Sequence, residues 1–501
     1  MRLLNHQRTL RPVACAVASL GMILVGSGVS ATAAVTEAST PVPVTPPDGT
    51  VMSYVVNTGQ ANPGQTRKAE KAVTDAGGVV VQSWPEIGVI IAQSDRAAFR
   101  DSIKVTGKNV VASVGATRTA EVKDKVTGAQ LPWGPGSSGW NQGKNKPVNG
   151  DEPTTPVPAD GTDARESEQW DMKLIHSDQA NTITDGSRKV LVGVLDSGID
   201  PNHQDLKANI DVANSVNCTA GGRPSQAPGG WYPTTSDHGT HVAGTIAAAR
   251  NGVGIVGVAP NVRLASVKVV NDDGFIYPEY AICGFMWAGE RGMDVTNNSY
   301  YIDPFEFWCD DQPDQAAVRE AVARAVNFSS AKGVVSAAAA GNSGIDFTMN
   351  TTDEGSPNDA PAPVDRTINQ GCKDIPAQIP GVVNVSAITQ TGQLAYFSNR
   401  GLGHIDVAAP GYRILSTIPN NKYGLKSGTS MASPHVAGVL ALMKSAHPEL
   451  TPAQMVEKLR ADATKTPCSA PQLNNGAACV GTPELNSYYG YGIVDALKAV
   501  Q

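Results

Sequence analysis

The chain has 501 residues, a formal net charge of −7, 17% charged residues, 51 glycines and 34 prolines. That length leaves room for more than one domain and a large core, and the glycine and proline content describes a globular, loop-rich protein rather than a coiled coil or a disordered chain. The acidity and the lack of a dense Lys/Arg stripe argue against a nucleic-acid partner.

At the N-terminus, Arg2, His6, Arg8 and Arg11 precede an apolar run over 13–29 and then the small residues Ala31-Thr32-Ala33. This is the pattern of a cleaved secretory signal over 1–33. The run is near the minimum spanning length, so a membrane anchor is the alternative. Gly21, Gly26, Ser27 and Gly28 weaken it as a spanning helix, and no later stretch is long and apolar enough to span. The expectation is a secreted, extracellular protein with no stable membrane anchor. With Cys15 in the signal, Cys218, Cys283, Cys309, Cys372, Cys468 and Cys479 remain, an even set compatible with three disulfides of unreadable connectivity. Cys468–Cys479 is the pairing expected, because the loop between them is short and polar. No Cys-x-x-Cys spacing points to zinc or redox chemistry.

Residues 34–51 are Pro/Thr-rich and read as a flexible lead. A compact α+β pattern follows over 52–122. It runs as a strand at Ser53–Asn57, a helix at Pro63–Ala76 with Ala69, Ala72, Val73 and Ala76 on one face, a hairpin of Val79–Trp84 and Gly88–Ala92, a second helix capped by Ser94 with Phe99 and Ile103 inward, and a last strand at Val110–Val114. That β-α-β-β-α-β order suits a ferredoxin-like module. Residues 123–168 change to Gly, Pro, Ser, Asn and Asp and read as an exposed linker, where proteolytic processing concentrates.

From Gln169 to the C-terminus, strands and helices alternate. Val190–Leu195 is a continuous apolar run, as in a parallel strand buried on both faces. A helix at Thr240–Arg250, a strand at Leu264–Val270, a helix across Glu279–Glu290, a strand at Asp294–Ser299, a helix at Asp314–Lys332, the strand Val334–Ala338 and a late helix at Thr451–Ala463 follow. The pattern predicts an α/β domain with a doubly wound parallel sheet, whose sites form at the carboxyl ends of strands.

Three positions carry chemistry together that none would carry alone. Asp196 ends the first strand before Ser197-Gly198, His238 and His241 lie at the start of an Ala-rich helix, and Ser430 lies where a flexible lead enters the apolar helical pattern Val436, Val439, Leu440, Met443. Singly, the Asp reads as a turn cap, the histidine as packing and the serine as a helix cap. A His238–His241 metal pair lacks the interposed Glu of a zinc-protease helix and a third ligand. As a set, a serine needs a base to become a nucleophile, an imidazole can supply it, and a carboxylate fixes the ring's tautomer. His435, close to Ser430, reads as helix packing rather than as the base.

Asp196-Ser-Gly-Ile-Asp, His238-Gly-Thr-His-Val-Ala-Gly and Gly428-Thr-Ser-Met-Ala-Ser-Pro-His resemble the signatures of the subtilisin-like serine proteases, in the same chain order. The likeness covers roughly 169–501. It implies a serine endopeptidase acting on protein or peptide substrates, with Asp196 as orienting acid, His238 as general base and acid, and Ser430 as acylated nucleophile. It also implies an oxyanion hole from the side chain of Asn342, in Ala337-Ala-Ala-Ala-Gly-Asn-Ser-Gly, and the backbone N–H of Ser430. By the same resemblance the peptide lies along segments ending at Gly274 and at Ser299, Tyr300 and Tyr301, with Ala338 and Gly341 near the first pocket, and large apolar side chains are preferred. Two tyrosines stand where Leu-Gly is usual, and an insertion at about 345–370 departs from shorter members, so a narrow-specificity processing protease is the alternative. A catalytically inactive binding module is the other, though none of Asp196, His238, Asn342 and Ser430 is missing. No cofactor is implied for catalysis. A structural calcium ion is implied at Asp205 with the loop 251–255, although Arg250 beside the loop is unfavourable for one. The module at 52–122 resembles a propeptide that inhibits its own catalytic domain until it is cut away.

Overall fold

The structure, a computed structural model, describes residues 37–123, 161–362, 364–468 and 478–501. The expected signal peptide and most of the expected linker lie outside them. Among the described residues no helix is long and apolar enough to cross a membrane.

The small module has the expected order. The strands Met52–Thr58, Val79–Trp84, Val89–Ser94 and Val111–Ala116 form one antiparallel sheet in which the first strand is flanked by the third and the fourth. The helix Pro63–Asp75 begins at an Asn62 cap, whose side chain accepts the Gln65 N–H at 2.9 Å, and buries Ala69, Ala72 and Val73. The second helix differs from expectation. It starts at Phe99 without a side-chain cap, because Ser94 stays in its strand opposite Met52 and its hydroxyl serves the Arg96 N–H instead.

The sheet of this module lies on the helices Pro278–Glu290 and Pro313–Ala331, and Val55, Val81, Trp84, Val89 and Ile91 join their apolar core. Asn57 donates to the Ala317 carbonyl at 2.8 Å, and a buried ion pair joins Arg118 to Glu279. The lead expected to be flexible is fastened from Glu37 onward. Ser39 donates to Asp311 through both its N–H and its hydroxyl, Thr40 N–H meets the Thr367 carbonyl, and Val44 enters the module's core. The described end of the expected linker is also fixed, since Asp163 is buried and accepts N–H groups of Asn251 and Gly252.

The large domain is built on an eight-stranded sheet. From one edge the strands are Val407–Pro410, Val383–Ile388, Val335–Ala339, Val295–Asn298, Leu191–Asp196, Arg263–Lys268, Val216–Ala220 and Arg223–Ser225. All neighbours are parallel except the final pair. The chain winds one way from Leu191–Asp196 and then the other way from Val295–Asn298, so the winding reverses between two adjacent central strands. Their carboxyl ends, Asp196 and the residue after Asn298, flank the crevice that such a reversal opens. Helices His238–Ala247 and Thr429–Ala446 cover one face, and Pro278–Glu290 and Pro313–Ala331 the other, each over its own apolar core.

The helix expected to reach Arg250 stops at Ala247. The Asn209 amide takes the Ala247 carbonyl at 2.9 Å and Gly257 packs against the backbone of Ala247 and Ala248, which turns the chain outward. The late helix Pro452–Asp462 has a Thr451–Gln454 capping box. Disulfides join Cys218–Cys283, Cys309–Cys372 and Cys468–Cys479, the last as expected.

His435 packs inside the helix Thr429–Ala446, and both of its ring nitrogens have partners. Its Nδ1 donates to the Met431 carbonyl at 2.8 Å and its Nε2 meets Asp171 at 3.0 Å, both side chains fully buried. The pair ties the short helix Trp170–Leu174 to the one bearing Ser430. Removing one partner of a buried pair strands the other, at a cost of about 3–5 kcal/mol. His435→Ala is therefore expected to lower stability by that amount in chemical denaturation.

Candidate active site

A cleft of about 490 Å³ opens at the carboxyl ends of the central strands and brings Asp196, His238, Asn342 and Ser430 together, with Gly274, Ser299, Tyr300, Tyr301 and Gly341 also on its walls. Ala338 is the exception among the expected residues. It is buried in its strand between Asn298 and Asn384, with its side chain in the core under the helices, and Ala339 lines the cleft instead. The sheet's two-residue alternation sends neighbouring side chains to opposite faces.

Asp196 is the last residue of its strand and is buried. Its carboxylate accepts the Ser197 N–H at 2.7 Å and the His238 Nδ1–H at 2.9 Å. His238 is the first residue of its helix, and 30% of its side chain is exposed, on the cleft side. Donation from Nδ1 leaves Nε2 with its lone pair free. Burial lowers the imidazole's affinity for a proton, but the charge and hydrogen bond of Asp196 outweigh it, so the ring titrates above its ordinary value. His241 differs in kind. Its Nε2 faces the carbonyls of Ile414 and Gly424 at 3.1 Å, and burial pulls it down to about 3. That is a neutral packing histidine, not half of a metal pair.

Ser430 is the second residue of the helix Thr429–Ala446. Pro434, four residues on, has no N–H to give the Ser430 carbonyl. The Ser299 hydroxyl supplies the missing donor at 2.8 Å, and in return the Ser430 hydroxyl donates to the Ser299 carbonyl at 3.1 Å. In this arrangement the Ser430 hydroxyl is bonded to Ser299 rather than to His238. The backbone N–H of Ser430 lies in the first turn, where helical N–H groups have no intrahelical acceptor.

Asn342 follows the strand Val335–Ala339 by three residues and is exposed to the cleft. Its Oδ1 accepts the N–H of Thr429 at 2.8 Å and the Thr429 hydroxyl at 3.0 Å. An amide oxygen committed to an N–H donor turns its NH₂ group the other way, toward the open cleft.

Several polar residues of the cleft were not singled out from sequence, among them Asp303, Glu306, Asn358 and Asp374. Asn358 comes from the insertion and bonds the Tyr301 hydroxyl at 3.1 Å. None belongs to a recognisable motif, and only the fold brings them to the cleft.

Away from the cleft, Asp205 is buried and accepts from the Ile255 N–H at 3.1 Å and the Tyr423 hydroxyl at 2.8 Å. Asp163 lies near enough for its charge to raise the proton affinity of Asp205, and burial pushes each carboxyl up to about 6. Asp163 Oδ2 is buried without a partner. Two buried acids with an orphaned oxygen, beside the loop 251–255, suit a hard cation. Arg250 bonds Glu166 at 2.9 Å, and its charge also reaches Asp163, as expected of a group unfavourable to a cation there.

Residues 187–492 match the Subtilase family. Over 312 residues the chain is 36% identical to subtilisin E of Bacillus subtilis (strain 168), covering 62% of this chain and about two thirds (66%) of that one. It is equally similar to a subtilisin of Bacillus pumilus, covering 62% of this chain and 91% of the relative. In three dimensions it resembles the epidermin leader peptide processing serine protease of Staphylococcus aureus with a TM-score of 0.64, at 23% identity over 90% of this chain and 98% of that one.

If Asp196 holds up the proton affinity of His238, Asp196→Asn must release it. NMR titration is expected to move the His238 imidazole to lower pH in that variant, while His241, which does not touch Asp196, is unchanged.

Proposed function

We propose that this chain, which belongs to the subtilase family, is a secreted serine endopeptidase that hydrolyses peptide bonds through an acyl-enzyme on Ser430 and is made as a self-processing zymogen. The observation that carries the reading is the Asp196–His238 pair, open through its free Nε2 onto the one cleft that also holds the Ser430 hydroxyl and the Asn342 amide.

The chemistry follows from those groups. As substrate enters, the Ser430 hydroxyl turns from the Ser299 carbonyl to Nε2 of His238, which takes its proton while Oγ attacks the carbonyl carbon. Asp196 keeps the ring in the required tautomer and stabilises the imidazolium. The oxyanion that develops meets the Asn342 NH₂ and the Ser430 N–H, two donors oriented before the reaction begins. His238 returns the proton to the departing amine, and a water activated in the same way hydrolyses the acyl-enzyme. No cofactor enters these steps.

The module over 52–122 is read as a propeptide, acting on its own catalytic domain as an intramolecular inhibitor. Support comes from its exit path. Thr119 and Ala120 N–H groups donate to Asp359 of the insertion, and Lys123 pairs at 2.6 Å with Asp273, a residue of the cleft wall. The chain therefore leaves the module at the entrance to the site. Export is supported by the N-terminal pattern, which lies outside the described residues, and by three disulfides, which persist in oxidising compartments.

Calcium is proposed as a structural ion held by Asp163 and Asp205 with the loop containing Asn251. The ion would neutralise two carboxylates that burial otherwise drives toward protonation.

Labelling with a fluorophosphonate tests the catalytic reading. The mature enzyme is expected to take up the label. Ser430→Ala is expected to take up none and to accumulate as unprocessed precursor. Asn342→Ala is expected to label but to lose about 10²–10³ in kcat, the range for one oxyanion donor. Labelling of the Ser430→Ala protein, or its normal self-processing, would defeat the proposal. Chelation is expected to lower the melting temperature of the parent protein and to leave that of Asp163→Asn/Asp205→Asn unmoved; a parent indifferent to chelator would remove the calcium site.

A further inference from the structure

Beyond Ser430 and Asn342 the cleft continues into a recess whose charged groups are all acids. Asp303, Glu306 and Asp374 line it, Asp273 is also on the cleft wall, and no lysine or arginine is among the described residues of that wall. The three inner acids are not equivalent. Asp303 is already satisfied, by the Ile276 N–H at 2.5 Å and the Asn358 amide at 2.6 Å. Glu306 spends one oxygen on the Ser343 hydroxyl at 2.8 Å. Asp374 has no partner for either oxygen, although its side chain is only 1% exposed.

A buried carboxylate with both oxygens unsatisfied is costly unless a ligand completes it. Burial, with Glu306 and Asp353 nearby, holds the Asp374 carboxyl well above the usual carboxylate range. A cation seated beside it would restore its charge and receive a charge-assisted bond. Tyr301 stands close enough to Asp303, Glu306 and Asp374 to feel all three charges, so an aromatic wall and the carboxylates share one space. Aromatic faces and carboxylates both attract guanidinium and ammonium groups.

The recess also lies at the right distance from the chemistry. A Cβ built on Gly341, the residue before Asn342, would stand 3.4 Å from Asp374 Oδ2. The backbone there has φ +99°, which favours glycine, and a side chain would first collide with the Asn399 amide. Gly341 adjoins Asn342, so Asp374 faces the cleft one residue along the chain from that amide.

The geometry points to a specificity pocket for a lysine or arginine side chain on the residue whose carbonyl is attacked, with Asp374 as its counter-ion and Glu306 as the second carboxylate. This rests on the acylation reading above and reverses the apolar preference that the resemblance implied. It makes the chain an endopeptidase that cuts after basic residues.

The test is hydrolysis by the mature enzyme of four succinyl-Ala-Ala-Pro-X p-nitroanilides, with X as Arg, Lys, Phe and Leu, each preparation being counted by fluorophosphonate labelling. The parent is expected to favour Arg or Lys over Phe by about tenfold or more in kcat/KM, the scale of one desolvated charge pair. Asp374→Asn, nearly isosteric, is expected to lose about tenfold or more on Arg and Lys while Phe stays within about threefold. Glu306→Gln is expected to lose less, in the same direction. A labelled parent that prefers Phe or Leu overturns the pocket and leaves the acylation reading standing. A labelled Asp374→Asn that slows equally on all four substrates also overturns it. A parent that neither labels nor hydrolyses any of the four overturns both. The parent's own preference needs no variant to fold.

Discussion

The first turn of the helix Thr429–Ala446 is held from outside, and the site depends on that. A helix start leaves N–H groups without partners, and Pro434 leaves the Ser430 carbonyl without one as well. Asn342 takes the Thr429 N–H and Ser299 takes the Ser430 carbonyl. Both of these residues follow central strands of the sheet, Val335–Ala339 and Val295–Asn298. Ser430 is thereby fixed relative to two strand ends rather than to its own helix alone. The same bonds orient the Asn342 amide. One set of contacts thus caps the helix, holds the serine and fixes the amide proposed as oxyanion donor. A proline that would weaken an ordinary helix instead makes room for a cross-link from a strand.

The remaining members of the site reach it by similar economy of position. Asp196 and Ser299 flank the crevice where the sheet's winding reverses, and His238 begins a helix packed over the same edge. The Asp196 carboxylate serves both the turn N–H of Ser197 and the imidazole. On the buried side, His435 and Asp171 tie the nucleophile's helix to a segment that enters the domain before its first strand. Disturbance of that distant pair would reach Ser430 only through the helix, so the pair supports position rather than chemistry.

The parts legible in the sequence are those that local pattern decides. Continuous apolar runs marked the parallel strands, alternation of strand and helix marked the winding, and three short motifs marked Asp196, His238 and Ser430. The boundaries that shifted were set by contacts no window contains: Asn209 ending a helix at Ala247, or Ser94 held in a strand by Met52. Ala338 was displaced by one position because strand alternation, not proximity in sequence, decides which alanine meets the cleft. Asp163 and Asp374 were invisible for a stronger reason. Each stands in a loop of unremarkable composition, and its significance comes from buried oxygens without a partner, one in Asp163 and two in Asp374, which is a property of the folded chain.

Charge complementarity links the recess to the small module that lies beside it. Arg118 pairs with Glu279 and sits over the Tyr277 ring, Arg100 pairs with Asp314, and Lys123 pairs with Asp273 at the cleft entrance. In every pair the module contributes the cation and the large domain the acid. These pairs do different work because their burial differs. Lys123 and Asp273 are largely exposed, so their attraction is modest and screened by salt. Arg118 and Glu279 are dehydrated in the contact, where attraction roughly offsets the loss of hydration; their contribution is to orientation more than to strength. The buried pair sets how the module sits on the helices, and the exposed pair delivers its final described residues to the acidic mouth. A surface that holds its own covering segment through lysine and arginine has the same polarity as the recess beside Ser430. On the proposed reading, in which the covering segment is cut away, the charge that received it remains to receive a basic substrate.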